Sequence, residues 1–134
     1  MPADMVKQTA QMLGQYGGLA AGWLFGSRAS GQARPDSDLD IALLADRPLT
    51  LKERVELQLQ LMKLWGLDAV DLVDLRQASA LLAFEAICGQ PLFAHDPSLV
   101  AEWVSRISRR YEEDVALMNR ELPVARRYLP RSQG

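Results

Sequence analysis

The chain has 134 residues, 49% of them hydrophobic and 24% charged, which is typical of one globular domain and excludes a disordered chain. Its net charge of −2 and pI near 5.4 argue against direct binding to nucleic acid or anionic membranes. The single cysteine excludes an internal disulfide. No apolar run could span a membrane, and the first residues lack the apolar core of a signal peptide, so we expect a cytoplasmic enzyme or binding module.

Apolar periodicity and turn residues predict alternating helices and strands. Thr50 and Glu53 have the spacing of a capping box, and Gly66 is the expected C-terminal stop of the helix that follows them. In chain order we predict a helix over residues 3–16, a buried strand over 19–25, a strand over 38–44, a helix over 51–64 or 51–65, a strand over 69–75, a short helix over 79–88, a short strand over 91–95 and a helix from Pro97.

The C-terminal helix is long and amphipathic. Asp96 followed by Pro97 is a helix start. Eight apolar residues then recur at helical spacing: Val100, Trp103, Val104, Ile107, Tyr111, Val115, Met118 and Leu122. A small domain can cover only part of this stripe, so we expect its second half, with Tyr111, Val115 and Met118, to be an interface for a homo-oligomer or hetero-oligomer. The alternative is a helix that folds back entirely onto the core.

Two aspartates on one predicted strand are the first candidates for chemistry. Asp38 and Asp40 are two residues apart, and in a strand such side chains project to the same face. Close carboxylates repel each other unless a cation neutralises them, and oxygen-only ligands suit Mg²⁺ or Mn²⁺. A solvated strand edge is the alternative interpretation of an Asp-x-Asp pattern taken alone.

The polar loop before these aspartates strengthens the interpretation. Gly26 and Ser27 follow a buried strand and offer backbone N–H groups and a hydroxyl to phosphate oxygens. The loop lacks the Gly-Lys-Ser/Thr of a Walker motif. Arg28 and Arg34 are further candidates for triphosphate contacts, with a solvated loop as the alternative for each.

Gly26-Ser27, ten residues, and Asp38-x-Asp40 together resemble the signature of the polymerase-β-type nucleotidyltransferases, in particular the minimal nucleotidyltransferases (MntA-like). The resemblance extends from residue 19 to about 96, although Ser30 stands where that group often has a basic residue. It implies an α/β fold with a small mixed sheet, helices packed on one face and a long C-terminal helix. We expect residues 1–96 to be the nucleotidyltransferase domain and 97–134 its helical extension.

The resemblance also implies roles for individual residues. Asp38, Asp40 and a third acid bind Mg²⁺ or Mn²⁺ and are catalytic, and Asp71 matches the third position best. Asp74 is the alternative, but three residues further along a strand it faces the other side. The residues that bind the nucleotide, with ATP as substrate, are Gly26, Ser27, Arg28 and Ser37.

By the same resemblance, the minimal enzymes are antitoxins that transfer AMP to a tyrosine of a HEPN ribonuclease toxin. Two alternatives remain open. One is a small-molecule transferase similar to aminoglycoside nucleotidyltransferases, which have a larger second domain. The other is a noncatalytic module that neutralises a toxin by binding it.

Other reactive side chains are better explained structurally. We expect His95 to be a surface residue, Cys88 to be a core residue, and the three tryptophans to be core aromatics. The arginines of the C-terminal segment (Arg109, Arg110, Arg126, Arg127 and Arg131) are expected on a solvated face or at a protein contact.

Overall fold

A computed structural model describes residues 3–26 and 38–121. The described residues form four helices and four strands: α1 (Ala3–Gly14), β1 (Leu19–Phe25), β2 (Leu39–Ala45), α2 (Leu51–Trp65), β3 (Val70–Asp74), α3 (Ala80–Ile87), β4 (Gln90–Ala94) and α4 (Pro97–Glu121). Every predicted element is present, with ends that differ by one or two residues, and the α/β class is confirmed. No helix among the described residues has the length and hydropathy that a membrane span requires.

The sheet has the strand order β3-β2-β1-β4. β1 is antiparallel to both β2 and β4, whereas β2 and β3 are parallel. The parallel pair is joined through α2, because parallel neighbours need a crossover connection. The outcome is the predicted mixed sheet, with β1 and β2 at its centre.

Helices cover both faces of the sheet, so the expectation that they pack on one face is wrong. Neighbouring residues of β2 alternate between two cores: Ile41 and Leu43 pack with Leu57 of α2, whereas Ala42 packs with Trp103 of α4. We call these two sides the α1/α2 face and the α3/α4 face. The physical reason is that the central strands are apolar on both sides, and each side must be buried.

Local signals fix the helix that leads into the parallel strand. The Thr50 hydroxyl accepts from the Glu53 N–H at 3.1 Å, and the Thr50 N–H donates to the Glu53 carboxylate at 2.9 Å. Gly66 ends α2 with φ of +66°, a conformation that favours glycine. The predicted capping box and stop are therefore both confirmed.

Side chains of α2 also protect the edge of the sheet. Arg54 donates to the Leu72 carbonyl at 2.9 Å, and Gln58 donates to the Val70 carbonyl at 3.1 Å. Unpaired carbonyls of an edge strand would otherwise attract a foreign strand. These contacts hold α2 along β3 and keep the start of β3 in place for the site.

Candidate active site

The candidate site lies where β1 ends and where β2 and β3 begin. Asp40 of β2 pairs with Phe25, the last residue of β1. The parallel register places Asp71 of β3 beside Asp40, and Asp38 directly precedes β2. The fold therefore brings the three predicted acids to one end of two adjacent strands.

Asp40 and Asp71 point to the α3/α4 face. Ala42 lies two residues after Asp40, and Val73 lies two residues after Asp71. Both pack in the core of the α3/α4 face. Because strand residues two apart share a side, the two carboxylates project from that side as well.

Asp40 experiences the repulsion that the sequence predicted. Its side chain is half-buried, whereas Asp38 and Asp71 are exposed. Burial, followed by the charge of Asp71 and a hydrogen bond with it, raises the pKa of Asp40 to about 6, and the charges of Asp38 and Glu85 add to the effect. A cation at this place would relieve the repulsion.

Gly26 allows the backbone after β1 to approach Asp40. Its φ is +77°, in the left-handed region that side chains other than hydrogen disfavour. A Cβ at this position would collide with Oδ2 of Asp40 and lie 3.1 Å from its Cγ. The other candidate nucleotide-binding residues, Ser27, Arg28 and Ser37, lie outside the described residues, as does Arg34.

Asp74, the alternative third carboxylate, is used elsewhere. It is only 3% exposed and lies on the side of β3 that faces the α1/α2 core. Its Oδ2 accepts from the Leu49 N–H at 2.9 Å, and its Oδ1 accepts from the Arg76 N–H at 3.0 Å. Asp74 therefore fixes the segment before α2 and the turn after β3, and the structure brings Asp71 to Asp40 instead.

The carboxylates fit a magnesium ion that is shared with a substrate. Within residues 3–26 and 38–121, no three histidine, cysteine, aspartate or glutamate side chains are arranged to hold a metal ion by themselves. Mg²⁺, however, typically binds to one or two carboxylates and takes its remaining ligands from substrate phosphates and water. Asp40, whose pKa is raised, and its neighbour Asp71 are such a partial ligand set.

Glu85 is an acidic neighbour that the sequence reasoning missed. It is the only charged residue in α3, a signal that could have identified it, and its charge acts on Asp40. α3 reaches the end of β1 because Gly89 follows it. A Cβ at Gly89 would collide with the Leu24 carbonyl oxygen and lie 2.8 Å from the Phe25 Cβ.

The two other reactive side chains, His95 and Cys88, form no hydrogen bond with the three carboxylates within the described part of the chain. His95 is exposed, as predicted, and its Nε2 lies 3.0 Å from the Gly14 carbonyl at the end of α1. The prediction that Cys88 is a core residue is wrong, because Cys88 is exposed. Ala80, Ala83 and Ala86 form the buried side of α3. Cys88 follows this helix and is not part of its buried side.

The tryptophans are structural. Trp23 and Trp103 are buried, and Trp65 is partly buried against the α1/α2 core. The indole N–H of Trp65 donates to the Thr9 hydroxyl at 2.8 Å. All three therefore contribute to packing, as predicted.

A sequence profile of the family described as Polymerase beta, Nucleotidyltransferase matches residues 7–98. The chain belongs to this family. Its match spans every strand and the three acids. A search of curated protein sequences finds no match.

Solved structures with the same fold include toxin–antitoxin complexes. A crystal structure of a toxin–antitoxin with AMP-PNP is 25% identical, with a TM-score of 0.74, and the alignment covers 93% of this chain and 98% of that one. A Shewanella oneidensis complex of a tri-AMPylated HEPN toxin with an MNT antitoxin is 24% identical, with a TM-score of 0.68 and coverage of 90% and 98%. At this identity, the second likeness shows the fold alone.

Proposed function

We propose that this nucleotidyltransferase is a metal-dependent enzyme that transfers AMP from ATP to a tyrosine of a partner HEPN toxin. The observation that carries the proposal is the placement of Asp71 beside Asp40, with Gly26 packed against Asp40. A similar toxin–antitoxin complex that is 25% identical contains AMP-PNP and supports the choice of nucleotide. The choice of partner follows from the fold that this chain shares with a complex of an AMPylated HEPN toxin and an MNT antitoxin. ATP, Mg²⁺ and such a partner are all consistent with a cytoplasmic location.

Asp38, Asp40 and Asp71 are the proposed metal-binding and catalytic residues. The ion, Mg²⁺ or Mn²⁺, supplies charge neutralisation and activation of the attacking oxygen in this class of reaction. The three carboxylates would hold the ion at the starts of β2 and β3. Phosphoryl-type transfer needs little beyond positioning and electrostatic stabilisation, which such a set provides.

Gly26, Ser27, Arg28 and Ser37 are the proposed contacts to the triphosphate. In the proposed reaction, the tyrosine oxygen forms a bond to the α-phosphorus of ATP. The bond from that phosphorus to the bridging oxygen breaks, pyrophosphate leaves and the phenolic proton passes to solvent. The exposed position of Asp71 keeps this end of the sheet open to a protein acceptor.

The test uses ATP labelled on its α-phosphate, Mg²⁺ and a purified candidate HEPN-type partner protein. Label should appear on that protein. Asp71→Ala should lower labelling by roughly a hundredfold or more, since charge stabilisation of this kind contributes several kcal/mol, and should leave complex formation intact. Asp38→Asn with Asp40→Asn should also abolish the thermal stabilisation by Mg²⁺ and ATP. Asp46 is an exposed carboxylate that follows the other end of β2. Asp46→Asn is therefore the matched control, and it should change neither the labelling nor the thermal stabilisation by Mg²⁺ and ATP.

Each failure has a distinct meaning. If the wild type binds the HEPN-type protein but does not label it, the chain is a noncatalytic module that neutralises its partner by binding it. If an aminoglycoside is labelled and the protein is not, the acceptor is a small molecule and not a protein. Labelling that survives Asp71→Ala but not Asp74→Ala would refute the assignment of the third carboxylate.

A further inference from the structure

The second half of α4 has an apolar surface that no described residue covers. All residues from 112 to 118 are exposed, whereas Trp103 and Ile107 in the first half are buried. Val115 is 37% exposed and Met118 is 42% exposed. The helix therefore extends past the surface that buries its first half, as the sequence predicted, while Leu122 lies outside the described residues.

Three apolar residues of this half form a line with an acidic border, whereas Leu117, which is 50% exposed, lies off it. Tyr111, Val115 and Met118 follow one another at spacings of four and three, which places them on one side of the helix. At roughly 100° per residue, Glu112 and Asp114 project on opposite sides of this line. Such a surface fits a helix whose apolar side is bordered by lysine or arginine.

The line lies on the same face of the sheet as the carboxylates. Tyr111 is half-buried because its ring stacks on Phe84 of α3, with centroids 4.0 Å apart and planes within 4°. The next residue of α3, Glu85, is the one whose charge acts on Asp40. A helix that docks along α4 is therefore on the side from which an acceptor must approach Asp40 and Asp71.

We propose that Tyr111, Val115 and Met118, bordered by Glu112 and Asp114, dock a basic-flanked amphipathic helix of the protein that accepts the nucleotide. The inference rests on the proposed function and adds the surface that selects the acceptor. A second copy of this chain matches the surface less well, because residues 112–118 contain three acids and no lysine or arginine to complement them.

The test measures the affinity of the full chain for a purified candidate HEPN-type partner protein, together with the mass of each species by light scattering. Val115→Asp with Met118→Asp should weaken binding about tenfold or more, as expected for central apolar anchors. The circular dichroism and Tm of the free chain should remain unchanged, since both side chains are exposed. Leu51→Asp with Leu59→Asp is the matched control: these α2 residues are 77% and 58% exposed, belong to the helix on the opposite face, and should leave binding unchanged.

A second variant tests the charge complementarity without touching the apolar line. Glu112→Lys with Asp114→Lys should weaken binding at low salt by about threefold or more, and the difference should shrink at high salt because these charges are screened. If both α4 variants bind with unchanged affinity and the wild type still labels its partner, the proposed docking surface is wrong and the proposed function stands. A wild type that neither binds nor labels the HEPN-type protein would refute the proposed function itself. A dimer of the free chain that becomes monomeric in the Val115/Met118 variant would assign the surface to a second copy.

Discussion

Asp71 and Asp74 belong to the same five-residue strand and have opposite surroundings. Asp71 is exposed beside Asp40, whereas Asp74 is buried and accepts two backbone N–H groups. A separation of three residues reverses the side to which a strand residue points. One carboxylate is therefore available for chemistry, and the other is consumed in holding the framework.

The largest expected stability effect tests the framework side of this comparison. Asp74→Ala removes both acceptors and leaves the buried N–H of Leu49 and the half-buried N–H of Arg76 without them, at about 1–3 kcal/mol for a fully buried group and less for a partly exposed one. We expect a loss of about 3 kcal/mol in the free energy of unfolding, measured by urea denaturation. Asp71→Ala, the matched change on the exposed side, should cost less than about 0.5 kcal/mol. Equal losses in the two variants would break the comparison.

A smaller effect sharpens the chemical side. Gly26→Ala adds a Cβ that meets Oδ2 of Asp40, so we expect Asp40 to turn away from Asp71. The left-handed backbone alone costs about 1–2 kcal/mol. Gly66→Ala is the control, because Gly66 has a similar φ of +66° and no atom within 4 Å of the added Cβ. Thermal unfolding should show a similar decrease in Tm for both variants. Only Gly26→Ala should also lose the increase in Tm that Mg²⁺ and ATP cause. If Gly26→Ala retains that increase, the proposed role of Gly26 is wrong.

The smallest effect is a pH dependence that originates at Asp40. Its folded-state pKa of about 6 lies above the ordinary value of 3.8 for this side chain, so the folded protein binds this proton more tightly than the unfolded chain. The associated stability is present below about pH 4 and is lost as the pH rises through 6. Asp40→Asn should therefore be more stable than the metal-free wild type at pH 7, by about 1 kcal/mol after solvent screening, and the gap should close towards pH 4. A gap that is constant from pH 4 to pH 7 would exclude this origin.

Most of the fold could be predicted because its signals are local. A capping box, a glycine stop and the two periodicities of apolar residues depend on neighbours along the chain. The predicted ends of the elements, up to the start of α4, agree with the observed ones to within two residues. That Asp71 and Asp74 face opposite sides of β3 could be predicted for the same reason, since alternation along a strand is a property of the backbone. The family signature supplied the pairing of distant segments that periodicity does not give.

Other features depended on contacts between segments far apart in the sequence. The second helical layer was missed because an apolar strand does not show how many of its sides are covered, and the exposure of Cys88 depends on which side of α3 meets the sheet. Glu85 acts on Asp40 across 45 residues of chain, and Arg54 and Gln58 reach the edge carbonyls of β3. The sequence by itself determined the elements, their order and the acids at the strand starts, because these follow from local backbone geometry. Only the tertiary structure decided which acid is buried, which helix borders the site and where α4 leaves the core, because packing and electrostatics act through space.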